Sequence, residues 1–276
     1  MRSRVELKRI AKDRLRDAYW PSFAVIAITF FAQTVQFLKN IYVAIARPGM
    51  FFTVQPYGPA PDIALTWENL SLLVQSAARQ FDWVEFLFGI VGPVLMVGCA
   101  AYFLKLLRGQ DAKVQEVFGY FHLFFRALGV SILVALICGG VFLLGFLAGY
   151  LFFWIIGLRF LGMAFAPLIA AIPAVVVSLG YSMVSFVMAD NPNLTALEVM
   201  NESRKIMSGE KGTLFVLLLS FLGWIILSAL FRGLLTIFIY PYFIATITGF
   251  YIDITNPAQL GFSELSQHFA ADRVLK

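Results

Sequence analysis

The chain has 276 residues, of which 60% are hydrophobic and only 13% charged, with a formal net charge of +5. A soluble domain carries about 25% charged residues, so this composition excludes an ordinary water-soluble fold and makes lipid the solvent. The positive excess, which would suggest nucleic acid in a soluble chain, fits basic cytoplasmic loops facing anionic headgroups, and no nucleic-acid partner is expected.

Residues 1–19 read as a basic amphipathic helix. Leu7, Ile10, Ala11, Leu15 and Ala18 follow helical spacing, and seven Lys/Arg against three acids suit a helix lying on anionic lipid. Ala44-Ile45-Ala46 resembles a signal-peptide cleavage site, but the charged region is long and Gln33, Gln36 and Lys39 interrupt the apolar stretch, so no cleavage is expected. The first span is expected over 20–46. Lys39 falls 19 residues after Trp20, about 29 Å along a helix, and snorkels at the far interface. Residues 47–82 form the longest polar segment. Its first half holds Pro48, Pro56, Pro59 and Pro61 and is irregular; its second half, from Thr66 to Phe81, reads as a short surface helix. A second span follows over 83–104, with a kink expected at Pro93.

The segment 105–126 carries four basic residues against two acids and reads as cytoplasmic. Only Arg159 is charged between Ala127 and Ala189. That stretch divides into spans 127–156 and 165–189, joined near Gly157–Gly162; three spans would carry Arg204, Lys205 and Lys211 to the outside. Asp190–Gly212 returns to the cytoplasm. There Asn191-Pro192 ends one helix, and Thr195 with Glu198 has the spacing of a capping box that starts another. Spans 213–231 and 234–252 are separated by a tight turn at Arg232-Gly233, and 253–276 is a cytoplasmic tail. The expected fold is therefore all-α: a polytopic transmembrane helix bundle of about six spans with short amphipathic interfacial helices. It forms a single membrane domain over 1–276 with both termini cytoplasmic. Sixteen of the 21 basic residues then lie inside, which supports the even number of spans.

Two cytoplasmic segments resemble each other, Asp111–Phe118 and Asn193–Met200, each following a descending span. A parallel internal repeat, as in many transporters, would account for this, as would the common pattern of any amphipathic interfacial helix.

Several local patterns occur in order along the chain: Glu6-Leu7-Lys8, Ala11-Lys12, Tyr102-Phe103-Leu104, Arg108-Gly109, Tyr181-Ser182-Met183 and Ala189-Asp190-Asn191-Pro192. Ala196-Leu197, Glu202-Ser203, Phe221-Leu222-Gly223-Trp224 and Tyr240-Pro241-Tyr242 continue the series. Together they resemble a bacterial integral membrane family known as domain of unknown function nine-seven-five. The chain departs from that pattern around 145–170, where the outer connection is longer and more aromatic. The resemblance implies a bacterial multipass protein of the cytoplasmic membrane. It implies no reaction and no catalytic residue.

The chemistry-bearing motifs are sparse. Lys39 with Arg47-Pro48 partly matches the first motif of histidine-nucleophile membrane phosphatases, but its spacing is wrong and the later motifs are missing. Gly180-Tyr181-Ser182 resembles part of an intramembrane serine protease motif, yet neither His122 nor His268 is expected near Ser182 to act as base. Asp190, Asn193, Thr195 and Glu198 lack EF-hand spacing and its glycine, so capping is the expected role. Cys99 and Cys138 lie in apolar runs and suggest no disulfide framework. No catalytic residue, metal ligand or cofactor is expected. Gly145 and Gly149 form a GxxxG pair suited to close helix packing, within the bundle or at a homodimer face. The expected partners are membrane lipids, with anionic headgroups at the N-terminal helix, and a membrane-protein partner or second copy. The candidate partner-binding surface is the cytoplasmic face holding Glu116, Asp190, Asn191, Glu198, Glu202, Arg204 and Lys205. A transporter or lipid-translocating protein is the alternative, because prolines interrupt several spans.

Overall fold

Long apolar runs with few charges favour helices, since each backbone N–H and C=O must be satisfied within its own segment when lipid surrounds it. Every regular element among the described residues is helical. The computed structural model describes residues 4–31, 83–230 and 234–256. Several predicted features lie outside these residues: the first span beyond Phe31, with Lys39; the 47–82 loop; the turn at Arg232-Gly233; and the tail from 257.

Helix α1 (Arg4–Thr29) joins what the sequence divides into a surface helix and the start of a span. Ala18 departs from helical geometry (φ −117°, ψ 20°), three residues before Pro21. Proline offers no N–H and its ring crowds the carbonyl four residues earlier, so the helix opens there and continues in a new direction. The apolar stripe Leu7, Ile10, Ala11 and Leu15 is buried within the protein, while Arg9, Lys12 and Arg16 stay exposed. The stripe expected to lie on lipid is thus occupied by protein, with Leu7 beside Gly249.

Helix α2 (Trp83–Leu107) runs through Pro93 as one element. Short helix α3 (Glu116–Gly119) and the 3-10 turn Phe121–Leu123 lead into α4 (Phe124–Ile155). A turn containing Gly157, at φ +78°, where a side chain would be strained, reverses the chain into α5 (Arg159–Gly180). Next come α6 (Val184–Asp190), α7 (Ala196–Ile206), α8 (Lys211–Leu219), α9 (Leu222–Leu230) and α10 (Leu234–Thr255). The single span expected over 165–189 is therefore broken at Tyr181–Met183, and the span expected over 213–231 is broken at Ser220-Phe221.

Among the described residues, four stretches are long and apolar enough to cross a membrane: Phe86–Leu107, Glu116–Ile155, Arg159–Asp190 and Lys211–Ser228. They differ in surroundings. Of the apolar window in Phe86–Leu107, 56% is buried, against 6% in Glu116–Ile155. The first is a core element, and the second turns almost all its side chains outward.

The chain separates into two compact units, 1–29 with 92–276, and 30–91. In the first, α1 packs along α10, and Ser22 Oγ meets the Tyr102 hydroxyl at 3.2 Å in the core. Tyr102, Phe103, Leu104 and Leu107 of α2, Met183 and Met188 flanking the α6 start, and Phe250 and Ile252 of α10 are fully or nearly fully buried. Gly98 lets α2 meet the backbone of Val117, where a Cβ would come within 2.2 Å of the Val117 carbonyl oxygen. In the same unit α4 and α5 form an antiparallel hairpin. In the second unit, the described rings of Phe31 and Phe88 pack at 5.3 Å.

Candidate functional site

A polar cluster gathers at the C-terminal ends of α2 and α6 and the start of α3. Arg108 follows the last turn of α2, and Asp190 ends α6. Their side chains make a two-pronged pair, with both Arg108 terminal nitrogens donating to separate Asp190 oxygens at 2.7 Å. Parallel donors matched to a carboxylate are the strong form of this bond. The two side chains are 19% and 21% exposed, so water screens the pair less than it screens a surface pair. The bonds from Asp190 hold the Arg108 guanidinium above its ordinary range, against the opposing effect of burial. Arg108 Nε is buried with no hydrogen-bond partner.

The same region is tied to α10. Tyr251 lies beside the Asp190 carboxylate and stacks on Phe186 with ring centres 5.4 Å apart. Lys105, one turn before Arg108, donates to Glu116 at 2.7 Å and so links the end of α2 to α3. Tyr120 donates to the Ala189 carbonyl at 3.4 Å, and Arg126 donates to the Pro192 carbonyl. These contacts join α2, α3, α4, α6 and α10 at one level of the molecule.

The predicted partner-binding residues therefore divide. Glu116 and Asp190 are engaged within the protein by Lys105 and Arg108. Asn191 is exposed and caps the end of α6 with a non-helical backbone (φ −129°, ψ 74°). Thr195 and Glu198 form a complete capping box: the Glu198 amide donates to Thr195 Oγ1, and the Thr195 amide donates to Glu198 Oε2 at 2.8 Å. The Thr195 bonds lower the Glu198 carboxyl below its ordinary value. Lys205 Nζ lies 3.6 Å from Glu202 in an exposed i,i+3 pair, and the Arg204 guanidinium carbon is 5.9 Å from the Tyr181 ring centre. Sequence reasoning noted Arg108 only within a family motif, and it did not pair Arg108 with Asp190 or Lys105 with Glu116, nor bring Arg126 and Tyr251 to this cluster. The available signal was the need of the three cations Lys105, Arg108 and Arg126 for counter-charges or carbonyls.

Gly145 and Gly149 face Ala170 and Ala166. A Cβ on either glycine would come within 3.1 and 3.3 Å of the facing Ala Cα. Both helices thus carry small residues four apart on the shared seam, which brings their backbones close.

The other motifs have local roles. Ser182 donates its hydroxyl to the Leu179 carbonyl at 2.8 Å, and His122 Nδ1 lies 3.1 Å from the Gly119 carbonyl. Among the described residues no three His, Cys, Asp or Glu side chains converge on a point that would hold a metal ion. A cavity of about 240 Å³ lies beside the break between α8 and α9, lined by Phe221, Trp224, Ile225 and Ser228 with Ile239, Tyr240 and Phe243 of α10. Its surface is mainly apolar. Near it Lys8 of α1 donates to the Ser220 carbonyl at 3.2 Å, and its ammonium sits 4.2 Å from the Phe221 ring centre.

No curated protein and no solved structure matches this chain. A family model described as a protein of unknown function, DUF975, matches residues 1–258. With nearly the whole chain covered, including every described helix, the protein belongs to the DUF975 family.

Proposed function

We propose that the chain is a six-span protein of the bacterial cytoplasmic membrane, with both termini inside, that acts without catalysis by docking a protein partner on its cytoplasmic face. The observation that carries this reading is the outer face of α7. Leu197 is 64% exposed, and Asn201 and Lys205 extend the same face at intervals of four residues. The opposite face is anchored by buried Val199, Met200 and Ser203, and the capping box fixes the first turn. An apolar anchor among charges on a rigid helix is a common form of partner surface. A photo-crosslinking residue at Leu197 is expected to yield a discrete protein adduct in membranes. The same group at Ile172, on the apolar face of α5, is the control. No adduct at Leu197 above the Ile172 background would overturn the docking reading.

Transport or lipid translocation is the second reading, favoured by the apolar cavity at the Ser220-Phe221 break. Interrupted spans next to cavities are a recurring form of substrate site. Liposomes holding the purified protein are its direct test: flux that Phe243→Trp, which fills the cavity, abolishes would move the assignment to transport.

A further inference from the structure

The inner cations fall into two sets. Lys105 and Arg108 have carboxylate partners, and Arg126 has a carbonyl. Arg204 and Lys211 have no carboxylate within ion-pair distance among the described residues. The acids nearest to them in sequence are Glu202, which lies 3.6 Å from Lys205, and Glu210, which makes no side-chain cap at the start of α8.

Both side chains approach the same glycine, Lys211 through its ammonium end and Arg204 through its aliphatic stem, while the Arg204 guanidinium carbon lies 5.9 Å from the ring centre of the adjoining Tyr181. A Cβ at Gly180 would lie 3.5 Å from Lys211 Cε, 3.7 Å from Lys211 Nζ and 3.9 Å from Arg204 Cγ. A Cβ there would be in ordinary van der Waals contact with both side chains. Gly180 ends α5, whose C-terminal carbonyls favour positive charge, and the Gly180 carbonyl itself accepts the buried Ser203 hydroxyl at 3.0 Å. A helix end offers only about half a charge, so two full cations there remain undercompensated.

We propose that Arg204 and Lys211, meeting over Gly180, bind the phosphate of an anionic phospholipid. A phosphate monoanion suits the pair, because guanidinium supplies parallel donors and ammonium a compact charge. The surroundings select lipid over free phosphate. Gly180 lies in the apolar stretch Arg159–Asp190, and Lys211 opens the stretch Lys211–Ser228. One turn along each helix, on the same faces as Gly180 and Lys211, Val176 and Phe215 are exposed and offer apolar surface to acyl chains. Helices α5 and α8 pack against each other, so this surface is continuous with the cation pair.

This inference rests on the membrane-spanning reading, and one set of measurements separates the two. The protein is extracted with its membrane and weighed intact by native mass spectrometry, as wild type, as R204Q/K211Q and as K113Q/R159Q. Both double variants remove the same charge, and the second does so on exposed residues outside the pair. Wild type and K113Q/R159Q are expected to retain one phosphatidylglycerol, with occupancy at least tenfold lower in R204Q/K211Q. Equal retention by R204Q/K211Q, or equal loss in both doubles, would overturn the site. Wild type offered equimolar phosphatidylglycerol and phosphatidylcholine tests it without any variant: equal uptake sinks the proposal. Occupancy by inorganic phosphate that displaces the lipid would also overturn the lipid assignment. Recovery of wild type in the soluble fraction would defeat the membrane reading itself.

Discussion

Arg108 and Asp190 are 82 positions apart in the chain and meet through two 2.7 Å bonds with little exposure to water. Removing one partner leaves the other charge half-buried, whereas removing both leaves an apolar contact. Asp190→Asn is therefore expected to destabilise the protein by roughly 2 kcal/mol, read as a lower thermal midpoint in detergent. Arg108→Leu/Asp190→Leu is expected to be less damaging than either single change; a double variant as unstable as the two losses added together would show that the pair is not coupled. Glu198 makes a second residue-scale prediction. Its carboxyl is lowered by the Thr195 bonds, so its contribution is fully present above its ordinary value of 4.5 and is lost as pH falls through the lower folded value. Amide exchange at Ala196–Val199, corrected for the intrinsic effect of pH, should speed up over that acid window in wild type. In Glu198→Gln the window should vanish.

At the scale of helices, close approach depends on missing side chains. The α4–α5 seam pairs Gly145 with Ala170 and Gly149 with Ala166, where any branched residue would force the backbones apart. Gly149→Val is expected to cost about 1–3 kcal/mol by overpacking. Gly140→Ala, with nothing within 4 Å of its Cβ position, should be neutral or slightly stabilising. Thermal midpoints of the two variants compare them directly, and a neutral Gly149→Val would show that the seam is not tight. Gly98→Ala makes a sharper case, because the atom it meets belongs to the Val117 backbone and cannot rotate away. Its loss of stability should match or exceed that of Gly149→Val. The exposed remainder of the hairpin is apolar on nearly every face, which suits lipid contact in the membrane-spanning reading.

For the whole molecule, the charge pattern predicts orientation. In a Cys99→Ala, Cys138→Ala background, a cysteine replacing Leu158 at the α4–α5 turn should react with an impermeant thiol reagent in intact cells. One replacing Asn193, between α6 and α7, should react only after the membrane is opened. Labelling of Asn193 in intact cells would reverse the proposed topology. The compact unit formed by 1–29 and 92–276 supplies the frame for this test, since it holds both probe positions.

Composition and periodicity sufficed for the helical class, the apolar stretches, the hairpin turn near Gly157 and the Thr195–Glu198 cap. Each depends on neighbours within a few turns, so local spacing encodes it. The resemblance that named the family likewise rests on short motifs read in order. Glu116 and Asp190 were legible as charges, but their partners were not, because Arg108 and Asp190 become neighbours only when α2 and α6 pack. The breaks at Tyr181–Met183 and Ser220-Phe221 were hidden for the same reason: the Ser203 hydroxyl and the Lys8 ammonium that satisfy carbonyls there come from distant helices. Tertiary structure also turned the stripe of α1 inward, because hydrophobicity specifies burial and leaves open whether lipid or protein provides it.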